Sequence, residues 1–288
     1  MPEGRKNGEG GLSYETMREV ICDLYTSPVK SADTAKLLPS LEIDRREVMN
    51  KVTEFLEKET RKRGFRKLLV PLSGGVDSAT VAVISDGTGF DTKLVTVTDK
   101  EFMRPEDVRD AKIVADYFDL KHEVIDASDT FRTIDESDPL IRQHTMMGFR
   151  KALIYSIGEK EDRIVVSGGN KTELYLGLFC CNNILGELFP LGDLFKTQIY
   201  QLARYAGLPV DAKPSHSGVR GDADDETLLG MKFYEFDLLA HYLVDRNYSP
   251  ERTAEQIGHA YNLDALRRMK KVARQNVLAM KFPFLKVA

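Results

Sequence analysis

Short apolar runs that alternate with longer segments of helical periodicity are the feature that most limits the folds open to this chain. Each run is short enough for a buried strand, and each helical segment is long enough to cross back over a sheet. The predicted strands are residues 67–73, 93–98, 122–125 and 163–167. The predicted helices around them are residues 43–63, 76–84, 104–118 and 139–157. This alternation predicts an α/β fold with a doubly wound, mostly parallel sheet.

Helical segments extend the α/β pattern at both ends of the chain. Residues 1–11 are polar and Gly-rich, and residues 12–38 show only weak helical patterns. No convincing strand follows Ser167. The remaining predicted helices are residues 193–205, 233–244, 254–261 and 263–280. Because 288 residues suit one large domain, we expect a partly flexible N-terminal extension over 1–40 and a single α/β domain over 41–288.

Composition narrows the classes of function and the cellular compartment. Acidic residues outnumber basic ones by 45 to 41, and this net charge of −4 argues against a broad nucleic-acid surface. The chain contains no apolar run long enough for a membrane span and no apolar segment typical of a secretory signal. The cysteines Cys22, Cys180 and Cys181 form no CxxC pair, which favours free thiols. We therefore expect a cytoplasmic protein.

The octet LSGGVDSA stands where the first predicted strand turns into a helix. Ligands of open α/β sheets bind beyond the carboxyl ends of strands, and a helix N-terminus offers unpaired N–H groups to an anion. Gly74 and Gly75 let the backbone approach phosphate closely, and Ser73 and Ser78 add hydroxyl groups. Asp77 would repel phosphate unless it held Mg²⁺. The octet therefore predicts a phosphate site with a bound Mg²⁺.

An ordinary glycine-rich turn capped by serine is the alternative interpretation of a lone Gly-Gly pair. The whole octet is more specific, and it is neither a Walker A motif nor a dinucleotide-binding GxGxxG motif. It resembles the SGGxDS loop of the ATP pyrophosphatases, the PP-loop enzymes. That resemblance implies an adenine nucleotide alpha hydrolase-like fold, and a reaction in which ATP adenylates an oxygen of its substrate and releases pyrophosphate.

Four further segments resemble the NAD synthetases, which are one family of PP-loop enzymes. The family patterns are GTGNKTE-LLG, PLGDLYKTQ, KPPSA and DE-x-x-LG, and similar stretches occur here in the same order. These stretches are residues 167–177, 190–198, 213–215 and 225–230. The resemblance covers residues 45–245 and leaves no room for a glutaminase portion within the match.

This resemblance implies a ligase that forms NAD from deamido-NAD and ammonia through an adenylated intermediate, releasing AMP and pyrophosphate. It implies that the enzyme uses ATP and Mg²⁺. Asp77, Glu173 and Lys196 are the implied catalytic residues, with Asp77 and Glu173 as the metal ligands. Lys196 and Ser215 are implied to bind phosphate together with the glycine-rich loop. Taken alone, Glu173 could be a helix-start acid and Lys196 a solvated lysine.

The chain departs from the family pattern mainly on the segments that hold deamido-NAD in the family, at residues 144–148, 180–187 and 277–283. The implied substrate contacts are Arg150, Asn183, Glu187 and Asp193. Two interpretations remain open. The chain is an NAD synthetase with substituted contacts, or it is a PP-loop enzyme that amidates or thiolates a different substrate.

Partners follow from the resemblance as well. It implies a homodimer with the substrate site at the subunit boundary, and ammonia that arrives free or from a separate amidotransferase. The adjacent Cys180 and Cys181 would suit sulfur chemistry, but two small residues in a helix are the favoured explanation. A nucleotide sensor without catalysis is the remaining class of function.

Overall fold

The predicted parallel sheet is present and contains four strands. The computed structural model describes residues 14–24, 39–99, 101, 103–178, 185–209, 224–258 and 261–279. The strands are β1 (Lys67–Pro71), β2 (Asp91–Thr98), β3 (Lys121–Asp126) and β4 (Ile164–Val165). Their spatial order is β3-β2-β1-β4, every neighbouring pair is parallel, and a bridge from Val166 to Leu188 continues the sheet beyond β4. The predicted α/β class is confirmed.

Helices connect the strands and cover the sheet. They are α1 (Tyr14–Cys22), α2 (Arg45–Lys62), α3 (Val76–Gly87), α4 (Pro105–Tyr117), α5 (Ser128–Arg132), α6 (Pro139–Glu161), α7 (Lys171–Leu176), α8 (Lys196–Tyr205), α9 (Asp225–Leu229), α10 (Phe233–Ala240), α11 (Pro250–Ile257) and α12 (Leu263–Ala279). In α2 the Asp44 side chain accepts from the Glu47 N–H at 3.0 Å, which caps the first turn. Val48, Val52 and Leu56 then form the buried stripe that packs α2 on its neighbours.

Side chains of successive strand residues point to opposite faces of the sheet, and both faces are covered. Leu68 and Val70 of β1 pack with apolar side chains of α2, α3 and α8. Leu69 of β1 and Val95 of β2 pack with apolar side chains of α5 and α6. The arrangement is therefore doubly wound, as predicted. The strand order reverses between β1 and β4, so the ligand crevice of such a sheet lies beyond the carboxyl ends of these two strands.

A third core lies among the helices that follow the sheet. It joins side chains of α7, α10, α11 and α12 with those of α1. Met17, Val20, Ile21 and Leu24 are almost fully buried in it, and their spacing places them on one face of the N-terminal helical segment. Part of the segment that the sequence analysis assigns to an N-terminal extension thus contributes side chains to the core.

The structure differs from the periodicity-based prediction in three respects. The helix predicted over 254–261 is instead α11, which Ser249 caps at its start and Gly258, with φ +71°, ends. The predicted helix over 233–244 is α-helical only through α10, and a π-helix over His241–Asp245 continues it. The short helices α5, α7 and α9 escape prediction because five or six residues are too few for a periodic pattern to emerge. No helix in the described part of the chain is long and apolar enough to cross a membrane.

Candidate active site

The glycine-rich loop between β1 and α3 has a conformation that Gly74 makes possible. Gly74 has φ +83°, and a Cβ at this position would lie 2.2 Å from the carbonyl oxygen of Asp107 in α4. The backbone of the loop therefore packs directly against the start of α4. Gly75, the N-cap of α3, is extended and its helix start receives no side-chain cap, so the first N–H groups of α3 are oriented for an anion.

Hydroxyl groups hold the loop from inside. The Ser73 N–H donates to Ser78 Oγ at 3.1 Å, and the Ser78 hydroxyl donates to the Gly75 carbonyl at 3.0 Å. The Thr96 hydroxyl on β2 donates to the Leu72 carbonyl at 2.6 Å and so fixes the start of the loop. Ser73 itself is exposed and its side chain is accessible to a ligand. Both hydroxyls shape the loop, since Ser73 Oγ lies 3.1 Å from Ser78 Oγ and accepts from the Gly75 N–H at 3.4 Å, and Ser73 is the more exposed of the two residues.

A second loop, which follows β4, meets the first loop at Asp77. Asn170 caps α7 reciprocally: its Oδ1 accepts from the Glu173 N–H at 3.0 Å, and Glu173 accepts from the Asn170 N–H at 3.2 Å. The fully buried Asn170 also donates its Nδ2–H to Asp77 Oδ1 at 3.2 Å. The sequence analysis assigned no role to Asn170. An Asn followed three residues later by Glu is a capping-box pattern, and that signal was available.

Lys196, the first residue of α8, completes the group around Asp77. Its side chain is 3% exposed, and Nζ forms an ion pair with the Asp77 carboxylate. The ammonium also lies 5.7 Å from the centre of the Tyr200 ring and 6.0 Å from that of Phe233. Burial by itself would lower the pKa of Lys196, but the nearby Asp77, Tyr200 and Glu173 side chains together outweigh burial and raise this pKa above its ordinary value. Lys196 is thus held as a buried cation rather than as a solvated lysine.

Two carboxylates share this site with one ammonium group. Burial and the negative charge of Asp77 raise the pKa of Glu173, while Lys196 acts in the opposite direction. The described residues contain no cluster of three or more Asp, Glu, His or Cys side chains that could hold a metal ion. Mg²⁺ usually takes one or two protein carboxylates and completes its shell with water and substrate phosphates. The carboxylate oxygens of Asp77 and Glu173 fit that requirement, and their role as metal ligands stays a prediction.

A cavity of about 420 Å³ opens at the carboxyl ends of β2 and β3. It is lined by Thr98, Asp99, Met103, Pro105, Val108 and Asp126. Val108 lies directly after Asp107, whose carbonyl packs against the glycine-rich loop, so the cavity adjoins that loop. Its volume falls within the range of small-molecule sites, and it combines apolar walls with carboxylates.

The predicted substrate residues lie in three separate environments. The Arg150 guanidinium contacts the buried Asp99 carboxylate and lies 5.6 Å from the centre of the Phe131 ring. Glu187 is exposed, and its carboxylate accepts from the Val165 N–H at 2.9 Å. Asp193 forms an ion pair with Lys171, the first residue of α7. Ser215, Asn183 and the pair Cys180 and Cys181 lie outside the described residues.

Asp193 belongs to an ion network at the start of α7. The Nζ of Lys171 lies 2.9 Å from the Asp193 carboxylate and 2.9 Å from that of Asp245, in the π-helix. The Tyr175 hydroxyl donates to Asp245 at 2.6 Å. Asp193 thus has a structural partner in this conformation, and its contact with a substrate stays a prediction.

Comparisons with known proteins agree with this geometry. The family model described as NAD synthase matches residues 48–283. The NH(3)-dependent NAD(+) synthetase of Fusobacterium nucleatum is 30% identical over 244 residues, which cover 80% of this chain and 93% of the relative. The protein of the same name from Wolinella succinogenes is 31% identical over 227 residues, covering 75% of this chain and 86% of the relative.

Solved structures share the fold at lower identity. NMN synthetase from Francisella tularensis superposes with a TM-score of 0.68 at 20% identity, covering 85% of this chain and 99% of that one. NH3-dependent NAD synthetase from Campylobacter jejuni superposes with a TM-score of 0.65 at 18% identity, covering 84% and 99%. The resemblance seen in the sequence is confirmed by the family match over most of its length, and this chain belongs to the NAD synthase family.

Proposed function

We propose that this chain is an ammonia-dependent ligase that converts deamido-NAD to NAD, with ATP cleaved to AMP and pyrophosphate. Membership of the NAD synthase family and the names of the curated relatives support this activity. Those names do not favour the alternative in which a different substrate is amidated or thiolated. The observation that carries the proposal is the convergence of Asp77, Glu173 and Lys196 beside the glycine-rich loop, at the reversal point of the strand order.

The reaction has two steps with simple atom balance. A carboxylate oxygen of the substrate attacks the α-phosphorus of ATP, and the bond to the leaving pyrophosphate breaks to give an acyl adenylate. Ammonia then attacks the acyl carbon, the bond to AMP breaks, and the nitrogen loses a proton to form the amide. Both steps need alignment of charged groups more than a strong acid or base.

The chain supplies the charge that pyrophosphate needs on leaving. The N–H groups at the start of α3 form the anion site, and Gly74 lets the loop turn toward it. Lys196, held within reach of Asp77, is a fixed cation that would transfer part of its pairing to the phosphates when ATP binds. A preorganised cation in a water-poor site stabilises developing negative charge without rearrangement.

Asp77 and Glu173 are the residues that would hold Mg²⁺. When bound, the ion would neutralise charge on the phosphate oxygens of ATP. Asn170 supports this pair, because it contacts the Asp77 carboxylate and caps the helix that carries Glu173. The two carboxylates thus gain their position from one buried amide side chain.

The cavity beside α4 suits the nucleoside of ATP. Met103, Pro105 and Val108 offer apolar contacts to a flat base, and the exposed Asp126 offers an oxygen acceptor to ribose hydroxyl groups. The shared wall between cavity and glycine-rich loop would let one ATP molecule span both.

We also propose that the chain forms a homodimer. Its ammonia arrives free in solution or from a separate amidotransferase. Ile141 and Phe149, on the same side of α6, are 51% and 42% exposed, and Val124 on the edge strand β3 is 46% exposed. These exposed apolar side chains are suited to burial against a second copy of the chain. Light scattering tests this point, because Phe149→Arg should convert a dimer to monomer.

The decisive experiment measures AMP release with ATP, deamido-NAD, ammonia and Mg²⁺, together with exchange of labelled pyrophosphate into ATP. We expect deamido-NAD to be required for both, and Asp77→Asn to abolish both. Undiminished exchange in Asp77→Asn would overturn the site assignment. Absence of AMP with deamido-NAD, combined with AMP release on another carboxylic acid, would overturn the substrate assignment.

A further inference from the structure

A fully buried carboxylate on α10 joins the starts of two helices that carry active-site residues. Asp237 Oδ1 accepts from the Thr172 hydroxyl at 2.6 Å. Asp237 Oδ2 accepts from the Thr197 N–H at 2.9 Å and from the Thr197 hydroxyl at 2.7 Å. Thr172 lies directly before Glu173, and Thr197 directly after Lys196. One side chain therefore contacts the neighbours of both active-site groups.

The two helix starts are also bonded to each other directly. The Lys196 N–H donates to Thr172 Oγ1 at 2.8 Å, and the Thr172 hydroxyl in turn donates a hydrogen bond to Asp237. The Lys171 N–H donates to the Leu194 carbonyl at 2.9 Å, which closes a second connection alongside the first. The Thr172 hydroxyl thus has a fixed orientation, because it accepts one hydrogen bond and donates another. These bonds connect the first turn of α8 to the first turn of α7.

Burial of a carboxylate is unfavourable unless donors compensate it. An apolar residue of similar volume would fill the same space in the helical core at less expense, so stability alone does not account for Asp237. Its three donors belong to α7 and α8, although Asp237 itself lies on α10. The carboxylate thus connects two helices that residues 177–195 separate in the chain, and these helices present Glu173 and Lys196.

We propose that Asp237 is a positioning residue that fixes the positions of Glu173 and Lys196 relative to each other and to Asp77. The proposal rests on the function proposed above, since the register matters for transfer of the adenylyl group. Displacement of a catalytic group by as little as about 1 Å can lower a rate by about a hundredfold. The glycine-rich loop is held separately by bonds from β2 and α3, so we expect the part of ATP binding that this loop provides to be kept when Asp237 is changed.

The test compares Asp237→Asn with Glu235→Gln. The asparagine keeps the shape of the side chain but replaces one acceptor oxygen by an N–H donor, which loses a bond to Thr172 or Thr197. Glu235 lies on the same helix, is 2% exposed, and accepts at 3.0 Å from the hydroxyl of Tyr261, which lies between α11 and α12. It therefore controls for loss of a buried carboxylate on α10.

Two readouts are measured on the full chain. We expect hydrogen exchange of the amides of Lys196 and Thr197 to become about tenfold faster in Asp237→Asn and to stay unchanged in Glu235→Gln. We expect kcat for AMP formation to fall about 10- to 100-fold in Asp237→Asn, with KM for ATP within about threefold, and to stay within about twofold in Glu235→Gln. The proposal would be overturned if Asp237→Asn had the same hydrogen-exchange rates and the same kcat as the wild type. An equal loss of kcat in Glu235→Gln would also overturn it.

A pair of Thr197 variants decides the matter if Asp237→Asn does not fold. Thr197→Ser keeps the hydroxyl that donates to Asp237 and should retain kcat, whereas the isosteric Thr197→Val should lower it. Equal kcat in the two variants would contradict the positioning role. If the wild-type chain forms no AMP, the proposed function fails. The hydrogen-exchange measurement on the amides of Lys196 and Thr197 still decides whether Asp237 connects the two helices.

Discussion

Asn170 and Asp77 are 93 residues apart in the chain, yet the Nδ2–H of Asn170 donates to Oδ1 of Asp77 at 3.2 Å. Asp77 lies in the first turn of α3, after β1, and Asn170 caps α7, after β4. The contact exists because β1 and β4 are neighbouring parallel strands whose carboxyl ends meet at one edge. One amide thereby connects the two loops that form the candidate active site.

The first prediction concerns Asn170→Ala. The substitution removes the cap of α7 and the donor to Asp77, so we expect pyrophosphate exchange to fall about 10- to 100-fold. The free energy of unfolding should fall by about 1 kcal/mol, as for other N-caps. Ser249→Ala is the matched control, because Ser249 caps α11 by accepting from the Arg252 N–H at 3.2 Å. Loss of pyrophosphate exchange in both variants would mean that the loss of a helix cap, and not the loss of the contact with Asp77, causes the effect.

A second prediction concerns the buried cation. Lys196→Met leaves Asp77 and Glu173 without their ammonium partner, so pyrophosphate loses a preorganised positive charge as it departs. We expect kcat for AMP formation to fall about 100- to 1000-fold. Lys112→Met, on a side chain that is 68% exposed, should leave the rate unchanged. AMP formation by Lys196→Met within twofold of the wild-type rate would exclude a role for this cation.

Gly74→Ala is expected to impair ATP binding through the shape of the loop. Its Cβ would lie 2.2 Å from the Asp107 carbonyl oxygen, so the loop or α4 must move. We expect Kd for ATP, measured by calorimetry, to increase at least about tenfold. Gly64→Ala has the same backbone strain, with φ +84°, but meets no atom within 4 Å. It should lose about 1 kcal/mol of stability and bind ATP normally.

The pH dependence of stability should reveal the buried Asp237. Burial raises the pKa of Asp237 to about 6 from its ordinary value of 3.8, despite hydrogen bonds from Thr172 and Thr197 that lower it. The folded chain therefore binds this proton more tightly than the unfolded chain, and the free energy of unfolding decreases as the pH rises from about 4 to about 6. The decrease attributable to Asp237 is at most about 3 kcal/mol.

Urea unfolding at several pH values tests this contribution. Asp237→Asn carries no titrating group at the site, so its stability should decrease less than that of the wild type across the same interval. Parallel stability curves for the two proteins between pH 4 and 6 would show that the Asp237 pKa is not raised.

Local sequence was enough to predict the sheet and the glycine-rich loop. The sequence pattern predicted the four strands within a few residues of their observed bounds. The signal is strongest for the central strand β1, because a strand buried on both faces needs an unbroken apolar run. The SGGVDS letters predicted a phosphate site because glycine conformation and a helix start are properties of neighbouring residues. The burial of Met17 and Ile21 in the third core had no such local signal.

The sequence by itself determined the parallel α/β class, the place of the phosphate loop, and the identities of Asp77, Glu173 and Lys196 as candidates. Only the tertiary structure decided how these groups are held. The contacts of Asn170 with Asp77, and of Asp237 with Thr172 and Thr197, join residues from separate elements. Apolar periodicity reports which face of an element is buried, whereas such hydrogen bonds depend on how the elements pack against one another.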